Sequence, residues 1–276
     1  MLGQVNMAGA FKGLTDAQWE KISKYIPQTS YKRGRPPPDA RKIINTILYV
    51  LITGCRWCDV PIGKQWGKRS TAHQWLGLWR ENGTTKKIQK ALLSEAYVLG
   101  LIDWSHGSVD GSFAAGKGGG DGVNHGFKGK GVTLHALVEG NGMPIAVTIT
   151  PANGSEREQV MPLLEEAQVR RLGGKRARNC PKILQADKGY DSKQLRKQIR
   201  NKGVKPIIPK RKMPNGKRPS GRKQPKLIDR WKVERAFAWA QRKFRRICIR
   251  WERQKKYWAG FVDLAVSFMW LGKVLP

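Results

Sequence analysis

The sequence predicts an α/β chain in two parts: an all-helical, helix–turn–helix-like region over residues 1–104 and a mixed-sheet domain over residues 105–276. Three observations carry that division. Apolar residues recur at helical spacing through the first part, and from Gly107 the pattern changes to period two. Beyond Gly107 an Asn-Gly hairpin signal is followed by strands that alternate with helices, the order expected of a sheet covered by helices.

Residues 1–13 read as a loose arm. Thr15 caps a first helix opening in Leu14-Thr-Asp-Ala-Gln-Trp-Glu, where acidic groups suit the first turn. Tyr31-Lys-Arg-Gly-Arg-Pro-Pro-Pro is a basic turn, because consecutive prolines remove the donors that a helix needs. Ile43, Ile44, Ile47, Leu48, Leu51 and Ile52 mark one face of a second helix, stopped at Gly54. Ser70-Thr-Ala-His-Gln-Trp-Leu-Gly-Leu-Trp-Arg forms a third with Ser70 or Thr71 as cap, and Thr84 or Thr85 starts a fourth that runs to about Leu101.

In the second part Asp110 ends a strand that a Gly-rich loop, Gly116–Gly122, follows. Val132–Glu139 and Pro144–Thr150 form a hairpin through Gly140-Asn-Gly142. A helix over Glu156–Arg171, a strand over Lys182–Ala186, a helix over Ser192–Asn201 and a short strand from Val204 follow. Lys210–Lys226 is a basic loop, Asp229 to about Arg246 a long helix, and Tyr257–Val274 the last one. An RNase H-like topology fits this order: an antiparallel hairpin to one side, parallel strands in the middle, helices on the faces. The apolar run Tyr257–Leu271 is shorter than the roughly 20 residues that span a bilayer, and Asp263 interrupts it, so it reads as a packed helix.

The charge is extreme. With 53 Lys and Arg against 20 Asp and Glu the net charge is +33, which points to nucleic acid first and an anionic membrane surface second. Residues 201–256 hold 21 of those cations and three acids, so 18 of the 33 net charges lie there. The 39% hydrophobic content and 11 Trp argue against global disorder. Four scattered cysteines make no disulfide scaffold, Cys55-Arg-Trp-Cys58 lacks the second pair of a zinc site, and no signal peptide is read at the start. Cytoplasmic placement is expected, beside the nucleoid of a prokaryotic cell. The third helix, with Lys64, Lys68 and Arg69 ahead of it, is the candidate to enter a DNA groove, bringing Lys68, Arg69, His73, Gln74 and Arg80 near bases or phosphates. The alternative is a core helix with Trp75 and Trp79 turned inward.

Against that charge three carboxylates stand out: Asp110 in Ser-Val-Asp-Gly-Ser-Phe, Asp187 in Ile-Leu-Gln-Ala-Asp-Lys-Gly-Tyr-Asp, and Glu234 in Asp-Arg-Trp-Lys-Val-Glu-Arg-Ala-Phe-Ala-Trp. Carboxylates placed where phosphates will lie repel them unless divalent metal stands between. Asp110 and Asp187 each end a strand beside a glycine, so adjacent strand ends can bring them within a few Å, and a helix can add Glu234. Paired ions in such sites sit about 3.5–4 Å apart, and magnesium, with manganese as substitute, suits all-oxygen ligation. The bland readings are a turn-forming role for each Asp and a helical ion pair with Arg230 for Glu234. Helical phasing, which sets Glu234 at the border of the packed face, argues against that pair.

These residues resemble the DDE transposases of bacterial and archaeal insertion sequences, over nearly the whole chain from Leu14 to Leu275. Val109-Asp110-Gly111-Ser112 is similar to that family's first acidic motif, Asp187-Lys-Gly-Tyr-Asp191 to the second, and His135-Ala-Leu-Val-Glu-Gly-Asn-Gly-Met-Pro-Ile to the hairpin between them. Arg230-x3-Glu234 resembles the centre of the Tyr-x2-Arg-x3-Glu-x6-Lys signature. Leu227 and Gln241 stand where its Tyr and Lys are expected, and Arg242 or Lys243 can supply the missing cation. The resemblance implies end cleavage by metal-activated water, then attack of the freed 3′-hydroxyl on target DNA, with Asp110 bridging two ions while Asp187 and Glu234 each hold one. It implies double-stranded DNA as partner, both terminal inverted repeats and target, and a homodimer to hold paired ends. Lys188, Lys210, Arg211, Lys212, Arg230, Arg235, Arg242 and Lys243 join the third helix as expected DNA contacts. A catalytically silent DNA-binding descendant and a metal-dependent nuclease of the same fold are the competing readings.

Overall fold

The computed structural model describes residues 11–27, 36–169, 180–211 and 230–275. The basic turn over residues 31–35, Lys212, Leu227, Asp229 and the loop beyond Arg211 lie outside the described residues, as does most of the expected arm. The chain divides into two compact units, each built from separated stretches: 1–93, 115–121 and 240–276 in the first, 94–114 and 122–239 in the second.

The first unit is helical. Helix α1, Asp16–Ser23, opens with a capping box between Thr15 and Gln18. Helix α2, Ala40–Thr53, is capped by Asp39 and ends at Gly54, whose φ of 72° is the left-handed turn that glycine adopts without strain. Helix α3, Arg69–Glu81, begins ahead of the expected Ser70 or Thr71 cap: Lys68 takes the cap position without a side-chain bond. The Arg69 guanidinium donates to Val60 O at 2.6 Å and ties down the entry instead. Helix α4, Thr84–Val98, is opened by Asn82, whose Oδ1 accepts from the Thr84 N–H and hydroxyl. It stops short of Leu101, and Gly100 takes a φ of 70°.

Helix α8, Lys255–Val274, is apolar on most sides and buried along most of its length. It packs on α3 where glycines allow close approach. A Cβ on Gly77 would lie 2.6 Å from the Tyr257 ring, and one on Gly260 2.7 Å from Leu76 Cδ1. Asp263, the residue that breaks the apolar run, is 2% exposed. It accepts from the Thr85 hydroxyl at 2.9 Å and pairs with Arg80 and Lys86, each at 3.1 Å. A lone buried carboxylate costs several kcal/mol, and these partners are what make it tolerable. No helix among the described residues is long and apolar enough to cross a membrane.

The second unit carries the sheet. Strands β1 (His106–Ala115), β2 (Asn124–Gly126), β3 (Gly129–Glu139), β4 (Pro144–Pro151), β5 (Ile183–Gln185) and β6 (Lys205–Ile207) run β2-β3-β1-β5-β6, with β4 also on β3. β3 and β4 are antiparallel, β1, β5 and β6 parallel. Gly107 lies against Leu137 and Gly131 against Ala114, so β1 and β3 run antiparallel. This mixed sheet, an antiparallel meander continued by two parallel strands, is RNase H-like. The hairpin turn is held by Glu139, whose carboxylate accepts from the N–H groups of Asp103, Asn141 and Met143.

Helix α5, Val160–Glu166, packs on β4 and β3, and helix α6, Lys193–Asn201, capped by Ser192, packs on β6. Two expected helices are shorter than their patterns. Residues 157–159 form a 3-10 turn ahead of α5, and Val169 has left that helix to become buried. Helix α7, Trp231–Lys243, ends where the buried Phe244 turns the chain into a 3-10 turn over Arg245–Ile247. Val233 and Ala236 of α7 pack on Val138 of β3, with Phe237 beside them.

Candidate active site

Asp110 does not end its strand, as the adjacent glycine suggested; β1 continues to Ala115. What ends is the neighbour. β5 pairs with β1 from His106↔Ile183 to Ser108↔Gln185, and continuing that register by two residues sets Asp187 opposite Asp110. Asp187 leaves the strand as the cap of a 3-10 turn over Lys188–Tyr190, its Oδ1 accepting from Gly189 N–H at 2.6 Å. Asp110 and Asp187 are therefore neighbours where a parallel partner stops and the longer strand goes on, near enough for the charge of one to act on the other. Burial pushes the Asp110 carboxyl up, the Gly111 N–H and Arg230 pull it back, and Asp187 pushes it up again.

Glu234 lies in the first turn of α7 and is exposed rather than bordering the packed face, because Val233 and Ala236 take the face toward β3. It also forms the helical ion pair that phasing argued against: the Arg230 guanidinium is 3.2 Å from Glu234 Oε1. The same Nη2 is 3.5 Å from Asp110 Oδ2, so one cation stands between the first and third motifs. Arg230 thus neutralises two of the three acids. The donors are carboxylate oxygens, the chemistry a hard divalent ion prefers. Among the described residues no three His, Cys, Asp or Glu side chains form a group arranged to hold a metal ion.

A further carboxylate went unremarked in the sequence. Glu156 follows β4, and a Cβ on Gly111 would lie 3.2 Å from its Oε1. Burial raises its carboxyl, and Asp110 and then Asp187 raise it further. The neighbouring Arg157 donates to Gly189 O at 2.8 Å, fastening this segment to the turn that carries Asp187. In sequence Glu156 reads as an ordinary acid opening a helix, so no local signal sets it apart.

The expected DNA contacts divide into engaged and exposed groups. On α3 Lys68 and Gln74 are exposed, while Arg69 holds Val60 O and Arg80 holds Asp263. His73 stacks on Tyr257, with ring centroids 4.0 Å apart. Trp79 is buried, and Trp75 sits edge-on to it. Lys188, Lys210 and Arg211 are exposed; Arg211 bonds Asp191 through its N–H and Lys188 O through its guanidinium. The Arg235 guanidinium lies 4.4 Å from the Trp231 ring and 4.7 Å from the Trp239 ring, both half exposed. Arg242 is exposed, and burial lowers the Lys243 ammonium beside Phe244. The cysteines are free thiols.

Comparison with known proteins places these elements in context. Residues 14–89 match a family described as a putative transposase of the IS4/5 family, and residues 95–261 match the transposase DDE domain. The chain is 36% identical over 131 residues to a putative transposase for insertion sequence element IS402 of Burkholderia cepacia, covering 47% of this chain and 58% of that protein. It is 31% identical over 103 residues to an uncharacterized 16.2 kDa protein of the same insertion element, covering 36% of this chain and 70% of that one. The chain thus spans a little over half the length of the first relative. A cryo-EM structure of the piggyBac transposase synaptic complex with hairpin DNA aligns at a TM-score of 0.41 and 10% identity, covering 62% of this chain and 46% of that one. With the DDE domain matched over more than half its length, the chain belongs to the transposase DDE domain family.

Proposed function

We propose that this chain is a DNA transposase that binds the ends of an insertion sequence, cuts them by metal-dependent hydrolysis and joins the 3′ ends to target DNA. The observation that carries this reading is the juxtaposition of Asp110 and Asp187 across the β1–β5 register, with Arg230 leading from Asp110 to Glu234, inside the matched DDE domain. Asp110, Asp187 and Glu234 would hold the divalent ion, magnesium with manganese as substitute, since their donors are carboxylate oxygens. A bound ion supplies charge neutralisation at the scissile phosphate and acidifies water for attack. Arg230 pairs with Asp110 and Glu234, and a cation taking over those carboxylates would leave its guanidinium available to a DNA phosphate.

In this reading residues 1–104 recognise the element ends and residues 105–276 do the chemistry. Lys68 and Gln74 face DNA, while Arg69, His73 and Arg80 hold α3 in place to present them. Lys188, Lys210, Arg211, Lys212, Arg235, Arg242 and Lys243 track the phosphates. A homodimer holds the two ends together, and the protein works in the cytoplasm beside the nucleoid.

The test is cleavage of labelled element-end DNA by purified protein with magnesium. Asp110→Asn, Asp187→Asn and Glu234→Gln should each abolish nicking while leaving end binding within about twofold, since ligation serves the transition state and Lys and Arg supply affinity. A triple variant that still nicks DNA in magnesium would overturn the assignment. Joining of a pre-cut end to target separates a transposase from a nuclease.

A further inference from the structure

His73 of α3 and the start of α8 line a cavity of about 300 Å³ within the first unit, and the three-acid chemistry gives it no role. Its walls are aromatic. The Trp57 and His73 rings meet edge to face with centroids 5.2 Å apart, and His73 stacks on Tyr257 at 4.0 Å. Trp251, the fourth ring, is 51% exposed, leaving apolar surface in water for a partner to cover. A cavity of this size with aromatic walls and a few polar groups suits a small planar ligand.

The same cavity is lined by a buried ion pair. Arg246 donates from Nε to Glu252 Oε1 at 2.7 Å and from Nη1 to Cys55 O at 3.0 Å. Glu252 is 6% exposed, and its Oε2 has no hydrogen-bond partner among the described residues. An acceptor left unpaired at that depth is uncommon, because its lost bond to water goes uncompensated. Cations stand beside it. Arg253 lines the cavity and is exposed, and Lys255 and Lys256 open α8 after Gln254, which makes no side-chain cap. A helix start of this kind favours a phosphate. The occupant therefore needs a flat face for the rings, an N–H for Glu252, and negative charge for Arg253 and α8. A nucleotide brings all three, and its base must be unpaired, since pairing and stacking in a duplex cover both the edge and the face.

We infer that this cavity takes an unpaired nucleobase of bound DNA, stacked on Trp251, with an N–H of the base donating to Glu252 and its phosphate beside Arg253 and the start of α8. This rests on the DNA-binding reading above and extends it to a site within the first unit, built from residues other than the three acids. Unpaired bases arise where strands part, as at an opened or single-stranded DNA end. The aromatic walls grip such a base by its face, which every base presents, while the cations hold its backbone.

The experiment measures binding of the full chain to three labelled duplexes by fluorescence anisotropy: one blunt, one with a short single-stranded deoxyadenosine overhang, and one whose overhang is abasic. The deoxyadenosine overhang should bind about tenfold tighter than the abasic one, the scale on which a base stacks on an aromatic ring. Trp251→Ala should abolish that ratio and Trp251→Phe should keep most of it, with blunt-duplex affinity within about twofold of the parent in both, since phosphate contacts supply that binding. Equal melting temperatures show that the variants are folded. If the parent binds both overhangs alike, or if Trp251→Ala keeps the preference, the inference fails and the DNA-binding reading stands. If the parent binds none of the three duplexes, the DNA-binding reading falls with it.

Discussion

Asp263 offers a direct test of how the helix assigned to DNA is held. The residue is buried on α8, its side chain 3% exposed, and joins three neighbours: Thr85, Arg80 and Lys86. Replacing it with Ala leaves the fully buried Thr85 hydroxyl without its acceptor and two cations without their counter-charge. Breaking a buried pair costs about 3–5 kcal/mol. Arg80 and Lys86 keep 33% and 20% of their side-chain surface, so water recovers part of that loss and the lower end applies, about 3 kcal/mol. Asp263→Asn keeps an acceptor for Thr85 and loses only the charge, costing about 1–2 kcal/mol. At roughly 2–4 °C per kcal/mol, a far-ultraviolet circular dichroism melt should fall by about 10 °C for Ala and about 4 °C for Asn. Because Arg80 closes α3, both variants should also lose discrimination between element ends and random DNA before they lose non-specific binding. If both melt within about 2 °C of the parent, the ion network contributes nothing and the account of how α3 is fixed is wrong.

Other measurements bear on the sheet and on the basic stretch. His135 is fully buried against Thr150, and burial pushes its imidazole down to about 4. The unfolded chain takes up that proton near pH 6.5, so stability is full above about 6.5 and falls as pH drops toward about 4, losing about 3 kcal/mol across the window. His135→Gln should flatten the slope of urea-unfolding free energy between those limits; an unchanged slope would show that other groups cause it. Neutralising Lys210, Arg211 and Lys212 together should weaken binding to all DNA alike, and each lost phosphate contact should lower the salt slope by about one. An unchanged slope would make this segment bystander charge.

Much of this protein is legible in its sequence because the signals are local. Caps, apolar stripes and the Asn-Gly hairpin each involve residues within a few positions of one another. Thr15, Gly54, Ser192 and Gly142 accordingly do what their types predict. The acidic motifs were legible for a related reason, since each carries its own short signature around Asp110, Asp187 or Glu234. Element ends were less so: Phe244 and Val169 leave their helices to be buried, a choice made by the surface they meet.

Other features depended on distant surfaces meeting. The wheel of α7 alone set Glu234 beside the packed face; contact with Val138 chose a stripe through Val233 and Ala236 and turned Glu234 outward to Arg230. The β1–β5 register, formed across more than seventy residues of chain, sets Asp187 opposite Asp110 and leaves Asp110 in mid-strand. Arg157 reaching Gly189 fastens the segment after β4 to the turn that carries Asp187. Asp263, which in sequence only interrupts an apolar run, becomes the anchor of three side chains from α3 and α4. The sequence by itself determined the helices, the strands and the short motifs around the three candidate acids, through interactions a turn or two long. Only the tertiary structure decided which acids share a centre and which cation stands between them, because strand register and burial are set by surfaces far apart in the chain.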